Sequence, residues 1–527
     1  MQRRTLLSSG ASALTVALAA PAVQAQKSRV LRFIPTSDLS SLDPHWTTSQ
    51  PPQTHGYYVF DTLYGVDAKL RPRPQMAEGH SVSDDGRTWL IRLRPGLRFH
   101  DGEPVLARDC AASLKRWAAR DVYGQTLAGF VEEWGTADDR TIRIKLKAPF
   151  PLLLNAIAKP NGMIAAMMPE RLARTDPNTQ VTDMTGSGPY RFLKDEFLPG
   201  SRVAYTRFDG YVPRDEPAEW TSGGKRALIE RVEWHVIPDP ATAAAALQKG
   251  EADWWEQLQP DLVPLLRKQS SLTISNTNPI GYTGVMRFNH LHPPFDNLAV
   301  RRAVMLGVNQ EDYMRAVTGN DPDVYRTCKS LFPCGTAYGR ELGTDLITGN
   351  LDAARAALKA SGYNGAKVVI LNPVDVPSIA PFGHVTFDYF RKLGLNVDLV
   401  DADWGSVIQR RNSREPVEKG GWSVFHSWWI GTSIQNPAVS TVIRGLGLKG
   451  WAGWYANDRV EKLTAEWISA TTEADQERLA DEVHREALAT VPTVTLGRFF
   501  ILTGYRKELR GMLEGTSPYP WNLSWGT

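Results

Sequence analysis

The chain has 527 residues, of which 42% are hydrophobic and 22% are charged, and its formal net charge is +3. One hydrophobic core does not grow to this length, so we expect two or three domains, and the apolar content excludes long disordered stretches. Two of the positive charges, Arg3 and Arg4, lie at the start of the chain. No basic run follows them, which argues against nucleic-acid binding and against a polybasic membrane arm.

The first 25 residues have the pattern of an export signal. Arg3 and Arg4 form the charged start, residues 14–20 form a short apolar core, and small residues precede an expected cleavage after Ala25. The arginine pair is compatible with export by the twin-arginine pathway and with a general secretory signal, and we keep both alternatives. The apolar core is shorter than the roughly 20 residues that a membrane span needs. We therefore expect an exported, soluble protein, and the absence of a nearby Cys disfavours a lipid anchor.

Strand-like and helix-like segments alternate after this signal, which is typical of an α/β protein. Apolar runs and alternating patterns predict strands, in chain order, at residues 30–34, 89–93, 141–146, 231–237, 367–371 and 396–400. Helical spacing predicts helices at residues 105–119, 240–249, 298–307, 312–317, 351–360, 378–392 and 473–490. The segments between 367 and 400 form a βαβ unit, which builds a parallel sheet.

Two of these helices carry end signals in the sequence. Gly250 directly follows the helix predicted at 240–249, and glycine is a favoured residue for ending a helix. Thr472 and Asp475 form an approximate capping box at the start of the helix predicted at 473–490.

The chain contains three cysteines. Cys328 and Cys334 lie six residues apart in a loop rich in Pro and Gly, and in an oxidising compartment they are expected to close a small disulfide loop. Two free thiols are the alternative. Their spacing lacks the partner Cys or His residues of a zinc site. Cys110 lies in an amphipathic helix and is expected to be a small core residue.

Nine short motifs match one family in their order and spacing. They occupy residues 41–44, 82–89, 93–102, 186–190, 237–239, 246–253, 287–289, 294–297 and 300–303. Ser83-Asp84-Asp85-Gly86 and the later Asp101-Gly102, each beside a strand-like run, belong to the two most specific motifs. Together the motifs resemble the extracytoplasmic solute-binding proteins, family 5, which serve peptide and nickel ABC importers.

This resemblance implies an α/β fold of two lobes, the type II (cluster C) periplasmic-binding-protein fold, with an extra subdomain in the first lobe. We expect the first lobe at 27–286, the second at 287–493, and a C-terminal return to the first lobe at 494–527. The resemblance also implies a periplasmic monomer that closes around a small ligand and delivers it to the permease subunits of an ABC importer in the inner membrane.

The peptide receptors of this family hold the ligand's amino group with an Asp four residues before a Pro, in a loop after a strand of the second lobe. Here the residue four positions before Pro437 is Ser433, and residues 420–453 contain no acidic side chain. An ammonium in a desolvated cleft needs a countercharge. The sequence therefore favours a ligand other than an ordinary free dipeptide, such as a modified peptide, a glycoside or an aromatic metabolite.

The same region is rich in tryptophan, whose indole stacks on sugar rings, aromatic rings and cations. Six of the 17 tryptophans fall within about fifty residues: Trp404, Trp422, Trp428, Trp429, Trp451 and Trp454. We expect Trp422 in the core and take Trp404, Trp428 and Trp429 as candidates for the cleft. Because Trp428 and Trp429 are adjacent, at most one of them should face the ligand if the segment is extended.

The other candidate ligand-binding residues are Ser37 and Trp46, in the polar loop after the first strand, and His426, beside the tryptophans. Metal chelates and haem are ligands of some family members, but the histidines match no strong metal motif. These histidines are His45, His55, His290, His292 and His426. No metal and no cofactor is predicted.

An enzymatic function is the alternative from another class. The sequence has no GxSxG, HExxH, Walker or GxGxxG motif, and the SxxK match at residues 222–225 lies in a glycine-rich loop. A secreted hydrolase stays open because catalytic groups are assembled in three dimensions. A receptor subunit that reports its ligand to a membrane sensor stays open as well, since it would use the same closure.

Overall fold

The computed structural model describes residues 30–319 and 321–526. The expected signal segment and its cleavage point at Ala25 lie outside these described residues. Two large sheets define two lobes, which we call the first lobe and the second lobe in chain order. The predicted α/β class is confirmed, and the predicted strand Val30–Ile34 is the first strand of the first lobe.

The sheet of the first lobe has seven strands. In spatial order they are Tyr190–Phe192, Arg202–Arg207, Arg231–His235, Val30–Ile34, Trp254–Trp255, Thr503–Arg506 and Leu272–Ser275. Val30–Ile34 runs parallel to both of its neighbours, Arg231–His235 and Trp254–Trp255. The carboxyl ends of these three strands therefore lie at one edge of the sheet.

The sheet of the second lobe has six strands. In spatial order they are Tyr325–Arg326, Thr493–Phe499, Tyr282–Phe288, Val424–Ile430, Lys367–Pro373 and Asn396–Ala402. Lys367–Pro373 runs parallel to Asn396–Ala402 and to Val424–Ile430. Helix Ala380–Leu393 connects the first pair, so the predicted βαβ unit is confirmed.

A smaller antiparallel sheet forms an extra layer of the first lobe. Its strands are Ala77–Val82, Thr88–Leu93, Thr141–Leu146 and Val131–Asp138. Helices Ala107–Arg120 and Val122–Phe130 accompany it. Short strand pairs join Asp61–Thr62 to Ala166–Met167, Tyr64–Val66 to Pro72–Pro74, and Leu509–Arg510 to Ser524–Trp525.

The remaining helices cover the sheets. In the first lobe they are Gln50–Val59, Leu153–Ile157, Glu170–Ala173, Pro240–Lys249 and Val263–Leu266. In the second lobe they are Leu298–Leu306, Gln310–Thr318, Leu351–Ala360, Trp404–Arg410, Asp458–Ser469 and Glu473–Thr490. Apolar side chains such as Met286, Phe295 and Phe390 fill the space between the second sheet and its helices.

The local end signals correspond to real helix ends. Asp239 accepts a hydrogen bond from the backbone N–H of Thr242 (2.7 Å), and the helix then ends at Gly250 with a φ of 74°. The hydroxyl of Thr472 accepts from the backbone N–H of Asp475 (3.1 Å). These caps satisfy backbone groups that a helix end leaves without partners.

The chain crosses between the two sheets twice. It leaves the first sheet after Leu272–Ser275 and enters the second at Tyr282–Phe288. It returns between Thr493–Phe499 and Thr503–Arg506. The predicted boundaries at 286/287 and 493/494 fall inside strands of the second sheet. A strand that enters a new sheet has the same kind of apolar pattern as the strand before it, so the sequence pattern does not show where the chain crosses.

Two ion pairs lie entirely inside the first lobe. The ammonium of Lys225 lies 2.7 Å from the carboxylate of Asp61, and Arg116 lies 2.6 Å from Asp43. Asp43 belongs to the Ser-Leu-Asp-Pro motif at 41–44, so this motif has a structural role. A buried charge is tolerated only with such partners, and these pairs fix the loops that carry them.

A disulfide joins Cys328 to Cys334 in the second lobe. The closed loop is short, and loop-closure entropy gives a stabilisation of about 2 kcal/mol. We expect the double variant Cys328→Ala, Cys334→Ala to lose about this much free energy of unfolding in urea denaturation. Adding dithiothreitol should lower the stability of the native protein to the same level and leave the variant unchanged. Equal stability of oxidised and reduced native protein would contradict this account.

Candidate ligand-binding cleft

In the first lobe, polar residues follow the carboxyl ends of two parallel strands. Thr36 and Ser37 come after Val30–Ile34, and Glu256 and Gln257 come directly after Trp254–Trp255. In open α/β sheets, ligands bind outside the carboxyl ends of the strands. The topology thus places these four residues where such a site is expected.

In the second lobe, the residues at the carboxyl ends of the parallel strands lie beside the same space as those of the first lobe. Trp404 opens the helix after Asn396–Ala402. Trp428 and Trp429 lie near the end of Val424–Ile430, and Ser433 follows in the next turn. Strand ends of both lobes therefore face one another across a cleft.

A cavity of about 620 Å³ occupies this cleft. Five of the predicted candidates line it: Ser37, Trp404, Trp428, Trp429 and Ser433. The volume falls within the roughly 300–1,000 Å³ of small-molecule sites. Side chains of both lobes thus form one chamber of a size suited to a small solute.

The wall of the cavity is mostly uncharged. Its amide side chains are Gln50, Gln53, Asn155, Asn161, Gln257, Gln435 and Asn436. The two charged residues that line it, Asp121 and Lys159, form an ion pair with 2.5 Å between carboxylate oxygen and ammonium nitrogen. Amides offer donors and acceptors together, so the wall matches a polar solute with several hydrogen-bonding groups.

Trp428 and Trp429 both line the cavity, although they are adjacent on a strand. The indole N–H of Trp428 donates to the hydroxyl of Ser378 (2.9 Å), and its ring lies edge-on to Tyr282 with centroids 4.8 Å apart. Trp429 packs edge-on against Trp451 at 5.5 Å. Both residues thus border the cavity, although at most one of them was expected to face a ligand, and which of them contacts a solute stays a prediction.

Two predicted candidates do not line the cavity. His426 lies inside strand Val424–Ile430 rather than in a loop, and its side chain is fully buried under the helix that carries Thr386. Its Nε2 lies 2.8 Å from the Thr386 hydroxyl, and burial lowers the pKa of the imidazole to about 3. Trp46 lies under the guanidinium of Arg120, 4.6 Å from the ring centroid. Both side chains therefore interact with other residues of the protein and not with the cavity.

Ser433 makes a contact between the lobes. The side-chain amide of Asn161, in the first lobe, donates a hydrogen bond to the hydroxyl of Ser433, in the second lobe. An Asp at this position would present a carboxylate to the cleft, whereas Ser presents a neutral hydroxyl. The hydroxyl is used here to hold the two walls together.

Glu256 is a polar residue beside the cleft that sequence reasoning missed. Its carboxylate accepts a hydrogen bond from the backbone N–H of Thr36 (2.7 Å), and the amide of Gln50 lies beside it. Burial raises the pKa of this carboxyl to about 7, against an ordinary 4.5, and the two hydrogen bonds only partly offset that effect. The position of Glu256 immediately after a parallel strand was the available signal.

The raised pKa predicts a pH-dependent stability. Below pH 4.5 the group is protonated in both the folded and the unfolded chain, and above pH 7 it is ionised in both. Its ionisation therefore removes about 3 kcal/mol of stability as the pH rises from 4.5 to 7. We expect Glu256→Gln to raise the free energy of unfolding of the ligand-free protein at pH 8 and to leave it nearly unchanged at pH 4. An equal effect at both pH values would contradict the assignment.

A second cavity of about 490 Å³ lies beside the returning crossover. It shares Gln257 with the cleft, and its wall includes Ser378, the hydrogen-bond partner of Trp428. Trp428, in the wall of the cleft, thus donates a hydrogen bond to a residue in the wall of the second cavity.

Among the described residues, no group of three or more His, Cys, Asp or Glu side chains is placed to hold a metal ion. His45 and His55 are buried, while His290 and His292 contact backbone carbonyls. In the same part of the chain, none of the helices combines the length and the apolar character that crossing a membrane requires.

Comparison with known proteins agrees with this geometry. The sequence model of the bacterial extracellular solute-binding proteins, family 5 (middle), matches residues 71–447. The chain belongs to this family. It is 36% identical over 490 residues to a probable peptide ABC transporter periplasmic-binding protein of Sinorhizobium fredii, covering 92% of each chain. It is 24% identical over 531 residues to a glutathione-binding protein of Pectobacterium atrosepticum, covering 97% of this chain and 96% of that one.

Solved structures of family 5 binding proteins share the two-lobed fold. An ABC transporter substrate-binding protein of Listeria monocytogenes superposes with a TM-score of 0.80 at 18% identity, over 94% of this chain and 99% of that one. A dipeptide-binding protein of Pseudoalteromonas, solved with Met-Leu, gives a TM-score of 0.76 at 17% identity, over 94% of this chain and all of that one. The predicted two-lobed fold is confirmed by these likenesses.

Proposed function

We propose that this protein is the substrate-binding component of an ABC importer and that it captures a small, peptide-like solute in the cleft. The observation that carries the proposal is the 620 Å³ cavity, whose wall combines strand ends of both lobes. A solute that touches both lobes stabilises the closed arrangement, so binding shifts the equilibrium between open and closed protein. The permease subunits then distinguish loaded from empty protein.

The names of the relatives support this assignment. The Sinorhizobium fredii relative carries a peptide-transport name, and the Pectobacterium atrosepticum relative carries a glutathione-binding name. We assign the protein to the periplasm as a soluble monomer that releases its solute unchanged. The alternative, a secreted hydrolase, would convert its ligand instead.

A glycoside or an aromatic metabolite is the second candidate ligand. The indoles of Trp404, Trp428 and Trp429 offer broad faces to one cavity, and its amides offer paired donors and acceptors. Stacking on an indole face together with amide hydrogen bonds is suited to a sugar ring as well as to a peptide. Ser433 favours this candidate over an ordinary free dipeptide, because it leaves no carboxylate at that position.

The test is to purify the protein from its host, denature it gently and identify the released molecule by mass spectrometry. One unchanged small solute per chain is the expected result. A peptide would support the peptide-like assignment, and a sugar or aromatic compound would support the second candidate. Conversion of the recovered solute on incubation with fresh protein would contradict the transport function in favour of the hydrolase.

A further inference from the structure

We propose that Lys159 binds a carboxylate group of the solute and so selects acidic solutes for the cleft. This inference rests on the proposed function, since it needs a solute in the cleft, and it adds a chemical class to that function. Lys159 is the one cationic side chain among the described residues that line the cavity. It lies in the first lobe, two residues after the helix Leu153–Ile157.

The ammonium of Lys159 keeps one hydrogen-bond donor free. Its Nζ lies 2.5 Å from the carboxylate of Asp121 and donates to the backbone carbonyl of Asn161 at 3.0 Å. An ammonium has three N–H groups, so one of them is left without an acceptor among the described residues. The side chain of Lys159 is 16% exposed and that of Asp121 is 4% exposed. The cation is therefore the member of this pair that a solute can reach.

Asp121 does not depend on Lys159 alone. Its second carboxylate oxygen accepts hydrogen bonds from the backbone N–H groups of Tyr123 (2.9 Å) and Gly124 (3.0 Å), where it caps the helix Val122–Phe130. These two bonds and the positive end of the helix dipole stabilise the carboxylate as well. The ammonium of Lys159 can therefore be shared between Asp121 and a carboxylate of the solute. A phosphate would bring a second negative charge, and the described residues of the wall hold no second cation for it.

Neutral groups of both lobes suit the same kind of solute. Asn161, whose carbonyl accepts from Lys159, donates its side-chain amide to Ser433 in the second lobe. Tyr123 in the first lobe and Thr432 in the second also line the cavity, and their buried hydroxyls have no hydrogen-bond partner among the described residues. Buried hydroxyls without partners are unfavourable, and oxygen atoms of a solute would satisfy such groups. The wall therefore favours a solute rich in oxygen.

The same wall disfavours an ammonium on the solute. Asp121 is the one acidic side chain among the described residues that line the cavity, and both of its oxygens already accept hydrogen bonds. Ser433 presents a neutral hydroxyl. A buried cation of the solute would thus have no free countercharge in the wall, whereas a carboxylate would have Lys159. The solute that fits is acidic rather than basic.

The test uses pairs of probes in which a carboxylate is replaced by a neutral carboxamide: N-acetyl-Met-Leu and its amide, N-acetyltyrosine and its amide, glucuronate and glucuronamide. Calorimetry compares the full native chain, Lys159→Met, and the control Lys147→Met, which removes an exposed lysine outside the cavity. We expect the acid of at least one pair to bind at least about tenfold more tightly than its amide. Lys159→Met should abolish that preference, and Lys147→Met should retain it.

Two further variants separate recognition from a structural role of the ion pair, because Lys159→Met leaves the carboxylate of Asp121 without its cation. The double variant Asp121→Asn, Lys159→Met removes both charges and keeps a residue that caps helices well, so it should fold and lack the preference for acids. Asp121→Asn alone frees the ammonium from its internal partner and should increase that preference. A purely structural ion pair would leave the preference unchanged in both variants.

The outcomes also separate this inference from the proposed function. Equal affinity of the native chain for both members of each pair, or an undiminished preference in the double variant, would overturn the role of Lys159 and leave solute capture intact. A solute recovered from the host without an acidic group would do the same. Absence of binding for all six probes would count against the carboxylate class, and the recovered solute would then decide the proposed function by itself.

Discussion

Replacing Lys225 by Met should lower the free energy of unfolding by about 3–5 kcal/mol, because it leaves a buried carboxylate without its cation. Lys225 and Asp61 are 0% and 1% exposed, and their charged atoms lie 2.7 Å apart. The hydroxyl of Tyr211 also donates to Asp61 (2.8 Å), and the ammonium lies 4.9 Å from the ring centroid of Trp521. One substitution thus disturbs contacts that join three well-separated stretches of the first lobe, around residues 61, 211–225 and 521.

Urea denaturation measures this loss, and Lys145→Met provides a matched control. Lys145 pairs with Glu133 at 3.2 Å on the exposed face of the smaller sheet, where both side chains are about two-fifths exposed. An exposed pair contributes roughly 0–1 kcal/mol, so the control should remain close to the native protein. Similar stability of the two variants would show that the buried pair is not an important support of the lobe.

Replacing Trp428 by Ala should weaken solute binding by about 2–4 kcal/mol, or roughly 30- to 1,000-fold, as expected for a central indole of a binding site. Trp428 lines the cleft, contacts Tyr282 and donates to Ser378. Its loss would remove a surface on which we expect the solute to pack and would leave Ser378 without its indole partner. Calorimetry with the solute recovered from the native protein measures the change.

Two further variants make this result specific. Trp428→Phe keeps a ring but loses the bond to Ser378, so its affinity should lie between those of the native protein and Trp428→Ala. Trp134→Ala removes a half-buried indole from the smaller sheet, outside the wall of the cleft, and should bind normally. If circular dichroism shows an intact fold and the affinity of Trp428→Ala for the solute is unchanged, Trp428 is not part of the binding site.

Local elements of the fold could be predicted closely from the sequence. Strand Val30–Ile34 and helix Glu473–Thr490 have the predicted bounds, because an apolar run and a capped amphipathic stripe are local signals. The crossing points between the lobes could not be placed to the residue. Strand Tyr282–Phe288 is buried along its whole length in the second sheet, and nothing in its own sequence tells which sheet it joins.

The cleft was predictable in part. Trp404 and Trp428 are large aromatic residues at strand ends, and the family resemblance directed attention to that region. His426 lies on the same face of the strand as Trp428, but two residues further from the strand end, where Thr386 and Phe382 of the covering helix bury it, and only the packing of that helix reveals this. Glu256 was missed because an acidic residue in sequence is ordinarily exposed, whereas its enclosure depends on Thr36 and Gln50, which are distant in the chain.

Small-angle X-ray scattering on the stripped protein, before and after addition of the recovered solute, tests the central claim most directly. If the solute is captured between the two lobes, the protein with bound solute should have a smaller radius of gyration than the solute-free protein. The Trp428→Ala variant should need a higher solute concentration to reach that smaller radius. Identical scattering curves at a solute concentration that saturates binding by calorimetry would contradict capture by closure of the cleft.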